Sequence, residues 1–216
     1  MNIMLESNIK ILWNNAGKWQ FEPYHYNPDR YINPEANLFV HNTFRTLDFI
    51  YEKEALILEF PDGRVVDILE EFISSHGKNL IIRDGTINQY EGTRDIITFY
   101  DEMGSMFRKD LRKSWHKSNV GRNTAASILA HEFIHAYHEQ FEYEAYRARK
   151  NKKYPLWKTK FPHFPNDEEV LVTTNLGNQA IRKIGDDERT HYKRNYYPTI
   201  SPITLEPAIP DGDVIV

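Results

Sequence analysis

The sequence predicts an α+β domain in which a small mixed sheet packs on one buried helix rich in polar motif residues. Three observations predict it. The run "AASILAHEFIHAYHEQFE", Ala125 to Glu142, puts apolar or small residues at Ala125, Ile128, Leu129, Phe133, Ile134, Ala136 and Tyr137, the pattern of a largely buried helix. Two short β-branched runs, "NLIIRDG" and "DIITFYD", read as neighbouring strands with a turn signal at Glu91-Gly92 between them. The run "RVVDILEEFISSHG" sets Val65, Val66, Ile68, Leu69, Phe72 and Ile73 on one helical stripe, and Gly77 stands where a left-handed residue would end that helix.

The remaining elements follow in order. Residues 14–40, rich in Asn, Pro and Tyr, show neither a helical nor a strand period, so residues 1–42 are expected to form an extended arm. From Thr43, "TFRTLDFIYEKEALILEF" partly fits an amphipathic helix that stops at the turn signal "PDG". The stretch "EMGSMFRKDLRKSWHKSNVGR" has little pattern and is expected to be a linker, with Asn123 or Thr124 capping the helix that follows. After the Pro- and Lys-rich loop "YPLWKTKFPHFPN", Asp167 and Glu168 open a helix, "DEEVLVTTNLGNQAIRKIG", with a break expected near Gly177. Residues 43–197 thus form the domain, and 198–216 an irregular tail that wraps the surface or frays.

Composition bounds the function. A chain of 216 residues, 40% apolar and 27% charged, suits one folded unit, and no run approaches the ~18 apolar residues of a membrane span. With no cysteine there are no disulfides, thiol nucleophiles or cysteine-ligated metals, so a metal must sit on His, Asp or Glu. A formal charge of −4 gives no general attraction to nucleic acid, and "RARKNKKY", Arg147 to Tyr154, reads as a solvated loop after a helix. The opening residues lack the cationic and continuous apolar regions of a standard signal peptide, although export by a machine that reads a disordered N-terminus leaves no such mark.

Chemistry concentrates in "HEFIH". His131 and His135 stand one helical turn apart, so their rings project from one face about 6 Å apart and can converge on one ion, for which zinc is the natural choice. Glu132, beside the first of them, can act as general base on a water made acidic by that ion. Chance would place this pattern in such a chain roughly three per cent of the time. The longer pattern with a third histidine is absent, because His138 and Phe141 occupy its Gly and His positions. The third ligand is therefore expected from a second helix, where Glu169, or alternatively Glu168, starts "EEVLVTT". His138, Glu139 and Glu142 are left to support or solvent.

Taken together, "LAHEFIHAYH", "EEVLVTT" and "NQAIRKIGDDERTHY" resemble the NleD-like effector metallopeptidases that bacteria inject into host cells, which in catalytic layout are similar to the clostridial neurotoxin light chains. The resemblance spans about Gly63 to Tyr192 and implies a zincin-like fold with His131, His135 and Glu169 on Zn2+ and Glu132 as base. It also implies that Arg189 and Tyr192 face the metal and stabilise an oxyanion; Arg194 and Tyr197 repeat the spacing five residues later. The second helix lacks the arginine-threonine pair that the family carries after its glutamates. The implied protein is a monomeric zinc endopeptidase, secreted into the host cytoplasm, with a signalling protein such as a mitogen-activated protein kinase as substrate and neither nucleic acid nor membrane as partner. "DIITFYD" is expected to be the edge strand on which an extended substrate adds. Rival expectations are a toxin metallopeptidase aimed at competing bacteria and a non-catalytic interaction protein.

Overall fold

The computed structural model describes residues 8–154 and 164–208. Its first elements are a hairpin, β1 (Ile9–Asn15) and β2 (Lys18–Pro23), turned by Ala16 and Gly17, both at positive φ. Within the arm expected over residues 1–42, the hairpin takes residues 9–23 and a helix begins at Leu38, residues 24–36 hold no helix or strand, and residues 1–7 lie outside the described residues. In β1 the alternate residues Ile9, Ile11 and Trp13 are buried, a strand pattern too brief to stand out beside the Asn- and Pro-rich stretch after it. Helix α1 (Leu38–Glu52) starts earlier than expected, because the Asn37 side chain accepts a hydrogen bond from the Val40 N–H and caps it. It buries Phe39, Val40, Phe44, Leu47 and Ile50 and stops at Lys53.

The "PDG" turn joins two short antiparallel strands, β3 (Ile57–Glu59) and β4 (Val65–Asp67). The helical stripe expected from Val65 therefore begins three residues later, as α2 (Ile68–Ser74), where the Asp67 carboxylate accepts from the Glu70 N–H. Gly77 has φ +80° but lies beyond the Ser75 cap, so it turns the chain toward the sheet rather than ending the helix.

Strands β5 (Leu80–Asp84), β6 (Gln89–Glu91) and β7 (Ile96–Phe99) complete a five-stranded mixed sheet of order β2-β1-β5-β7-β6. The β1–β5 and β5–β7 pairs are parallel, and the outer pairs are antiparallel. The two β-branched runs are thus neighbours. However, "DIITFYD" is an inner strand, and the edge beside the motif helix belongs to β6, which at three residues carries no readable period.

The expected linker instead holds β8 (Met103–Arg108) and β9 (Val120–Asn123), which pair antiparallel. Four successive buried residues in β8, Gly104 to Phe107, leave no alternation to detect. Helix α3 (Ala125–Phe141) carries the motif, capped by the Thr124 side chain, and every residue from Ala125 to His138 is buried. It touches β6, β7, β8 and the last helix, so it is enclosed on several sides. The basic run begins within helix α4 (Tyr143–Asn151), and only Lys152 to Tyr154 follow the helix as expected. Residues 155–163 of the expected Pro- and Lys-rich loop, and 209–216 of the tail, lie outside the described residues.

Helix α5 (Asp167–Leu171) runs through a π-helical segment, Val172–Leu176, into α6 (Gly177–Ile184). Gly177 is not a break. A Cβ there would lie 2.3 Å from the Val172 carbonyl oxygen, so the widened turn needs the missing side chain. The last strand, β10 (Asn195–Pro198), pairs with β8, and the tail is tied to α3 where the Pro202 carbonyl accepts from the Ala126 N–H. Among the described residues no helix is long and apolar enough to cross a membrane.

An alanine in place of glycine inside an exposed helix normally stabilises by up to ~1 kcal/mol. At residue 177 the close contact reverses the sign: Gly177→Ala is expected to cost about 1–3 kcal/mol, read as a lowered midpoint in denaturant or thermal unfolding.

Candidate metal centre

Three donor groups meet where α3 faces the start of α5. His131 and His135 present their Nε2 atoms 3.2 Å apart. Glu169 places Oε2 3.5 Å from His131 Nε2 and Oε1 3.4 Å from His135 Nε2. For a tetrahedral ion with bonds of ~2.0–2.1 Å, donors stand roughly 3.3–3.4 Å apart, so the three already have the required spacing. All three side chains are buried, and Glu169 Oε2 has no hydrogen-bond partner, an arrangement that is costly without a cation. The group His131, His135 and Glu169 could hold a metal ion.

Asn166 puts Glu169 there: its side chain caps α5 by accepting from the Glu169 N–H at 2.9 Å. Glu168 has other work. Its Oε1 lies 3.1 Å from His135 Nδ1 and 2.6 Å from His138 Nδ1, while its Oε2 accepts from Arg149 Nε at 2.6 Å. Geometry separates the adjacent glutamates: Glu169 faces the Nε2 atoms of His131 and His135, and Glu168 contacts the far nitrogen of His135. Such an outer carboxylate fixes the tautomer and orientation of a metal-binding imidazole. His138 joins this support through Glu168. Glu142 pairs with Arg64 at 2.6 Å, and Glu139 packs against the backbone of Gly92.

The electrostatics agree. Burial lowers the pKa of His131. Burial acts the same way on His135, but the carboxylates of Glu169 and Glu168 outweigh it and push that imidazole up to about 10. Against their own burial, both glutamates are held well below the usual carboxylate range by the histidines. Arg149 offsets one of the two buried carboxylate charges, and the other needs positive charge from a proton on His135 or from a metal that displaces it.

Glu132 projects from α3 into the same cavity, of about 630 Å³, that His131, His135 and Glu169 line. Its Oε2 accepts from the Tyr90 N–H of β6 at 2.9 Å, so the sheet edge orients this carboxylate. Tyr192 also lines the cavity, and burial, reinforced by the Glu169 charge, pushes its phenol up to about 12.

Arg189, expected to face the metal, is not among the residues lining this cavity; it lines a small pocket of about 10 Å³ together with His131 and Arg194. It is buried behind Tyr192, donating from Nη2 to the carbonyls of Tyr192 at 2.8 Å and His191 at 3.3 Å, and burial and Arg194 lower its pKa to about 9. Its backbone exchanges two 2.8 Å hydrogen bonds with the Asn178 side chain of α6. Arg189 thus clamps the loop that presents Tyr192. In the repeated spacing, Arg194 lines the cavity, whereas Tyr197 is buried on β10 with its hydroxyl donated to the Leu205 carbonyl. The cavity takes the tyrosine of one pair and the arginine of the other, because an irregular loop imposes no fixed facing on residues three apart.

Sequence reasoning missed Tyr90 and Arg149. Tyr90 acts through its backbone, which no residue type reveals, and the only sign of Arg149 was its place in the basic run. Comparison with models of known protein families, with curated proteins and with solved structures found no match.

If Glu168 and Arg149 align His135 for metal, Glu168→Gln and Arg149→Ala should each weaken metal affinity by about 10–100-fold. Competition with a chromophoric chelator measures this, with circular dichroism to show that the helices persist.

Proposed function

We propose that the protein is a zinc-dependent endopeptidase of zincin-like architecture. The observation that carries this reading is the convergence of His131, His135 and Glu169 at 3.2–3.5 Å with Glu132 on the wall of the same cavity. A donor set of two imidazoles and one carboxylate suits catalytic zinc. Zinc held there would supply Lewis acidity, polarising a peptide carbonyl and making water acidic near neutral pH.

The chain's own groups supply the rest. Glu132, oriented by the Tyr90 N–H, takes the proton of the attacking water and passes it to the leaving amine nitrogen. Tyr192 keeps its proton at neutral pH and donates a hydrogen bond to the oxygen that gains charge as the carbonyl becomes tetrahedral. Arg189 contributes by fixing the loop, and Arg194 brings positive charge to the cavity rim. The sheet edge that borders the cavity is β6, not the β7 expected to receive an extended substrate, and its Tyr90 amide is already engaged by Glu132.

The substrate class is protein. On the resemblance to the NleD-like effectors, we propose a host signalling protein of the mitogen-activated protein kinase type, met after secretion into the host cytoplasm by a monomeric enzyme.

Purified protein is expected to carry close to one zinc per chain. Glu132→Gln should retain that metal while proteolysis falls by about 10²–10⁴-fold, and Tyr192→Phe should lose less. Metal analysis with a casein or kinase digestion assay decides it; a metal-free wild type, or an active Glu132→Gln variant, sinks the proposal.

A further inference from the structure

The metal cavity has a neighbour. Arg194 lines the cavity and also a second groove, of about 280 Å³, whose walls include Phe107, Arg108, Leu111, Trp115 and Lys193. No acidic side chain lines this groove. Arg108, Lys193 and Arg194 have no carboxylate partner among the described residues; Arg108 donates to the Lys113 carbonyl at 3.0 Å, and Arg194 lies over the rings of Tyr192 and Tyr196.

The charge is local. The chain as a whole carries −4, yet the β8–β9 connection holds Lys109, Arg112, Lys113 and Lys117 against a single acid, Asp110. That acid is engaged by Arg112 at 3.2 Å and Lys113 at 4.0 Å, and Lys109 pairs with Asp187 at 2.6 Å. The remaining cations, Arg108, Lys193 and Arg194, give this face a local positive potential that attracts an anionic ligand.

The groove is also built to stay in shape. Asn119, 4% exposed, shares the two N–H groups of Nδ2 among the carbonyls of Asp110, Lys113 and Ser114 at 3.0–3.3 Å and accepts from the Asp110 N–H at 2.8 Å. One buried side chain thus fixes the loop that carries Trp115. A groove whose walls are ordered beforehand spends less of its binding energy on ordering.

We propose that this groove is a binding site for an acidic segment of the polypeptide substrate. Asp or Glu side chains would meet Arg108, Lys193 and Arg194, and an apolar side chain would lie against Trp115 and Leu111. Because Arg194 borders both spaces, a peptide in the groove continues directly into the metal cavity. A nucleic acid fits less well: its next phosphates would enter a cavity walled by Glu132 and Glu169, and the overall charge is negative. The proposal rests on the endopeptidase reading for its meaning as a substrate site, but binding can be measured without turnover.

The test uses the full chain carrying Glu132→Gln and three fluorescein-labelled probes: a leucine-containing peptide rich in Asp and Glu, the same peptide with Asn and Gln, and a single-stranded oligonucleotide of similar length. Fluorescence anisotropy should show the acidic peptide binding at least ~10-fold tighter than the neutral one, with affinity falling as salt rises. Lys193→Glu should remove most of that preference, and Arg108→Gln part of it, while zinc content stays unchanged. Equal binding of the two peptides, no response to either substitution, or tighter binding of the oligonucleotide overturns the proposal. Acid-selective binding by a chain that holds no zinc and cuts nothing would defeat the endopeptidase reading alone. Zinc-dependent cleavage without acid selectivity would defeat the groove alone.

Discussion

A buried cluster of two carboxylates and two imidazoles, held between α3 and α5, is the constraint on which the rest of the structure depends. Ionised carboxylates taken out of water cost several kcal/mol each unless charge and hydrogen bonds compensate them. Here the compensation is specific: His135 lies between Glu168 and Glu169, one on each ring nitrogen, and Arg149 and His138 satisfy the outer glutamate. Glu169 Oε2 remains without a hydrogen bond, facing the Nε2 atom of His131, and the three side chains together could hold a metal ion.

Much of the surrounding fold brings those two helices into contact. The Asp186 carboxylate, just past α6, accepts from the Thr124 N–H and from the Thr124 and Ser127 hydroxyls, joining the end of one helix to the start of the other. The absent side chain of Gly177 leaves room for the Val172 carbonyl in the widened turn after α5. Loss of either would shift donors whose separations match a tetrahedral ion to within a few tenths of an ångström, and shifts of that size matter to both affinity and catalysis. The sheet contributes at one point: β6, its edge, gives the Tyr90 amide to Glu132.

The metal cluster was legible because its information is local or comes from a short list. His131 and His135 are set by helical periodicity alone, and the need for an acidic residue on a second helix leads to the Glu168-Glu169 pair, between which only the structure distinguishes. The mixed α+β class was legible for a similar reason, since β5, β7 and α3 have clear apolar patterns. Elements without such patterns were not: β1 and β2 are a brief hairpin, β6 has three residues, and β8 is buried on both faces. Arg189 shows a different limit. Its spacing from Tyr192 was plain, but on a loop the facing of a side chain is decided by tertiary hydrogen bonds, here those of Asn178 and the carbonyls of 191 and 192.

The claim that two helices form one metal centre is tested most directly by zinc-edge X-ray absorption on the purified chain and on His135→Ala. The account predicts stoichiometric zinc with nitrogen and oxygen donors at ~2.0–2.1 Å and the multiple-scattering signature of two imidazoles, reduced to one in the variant. Absence of stoichiometric zinc, or a spectrum that His135→Ala leaves unchanged, would contradict it.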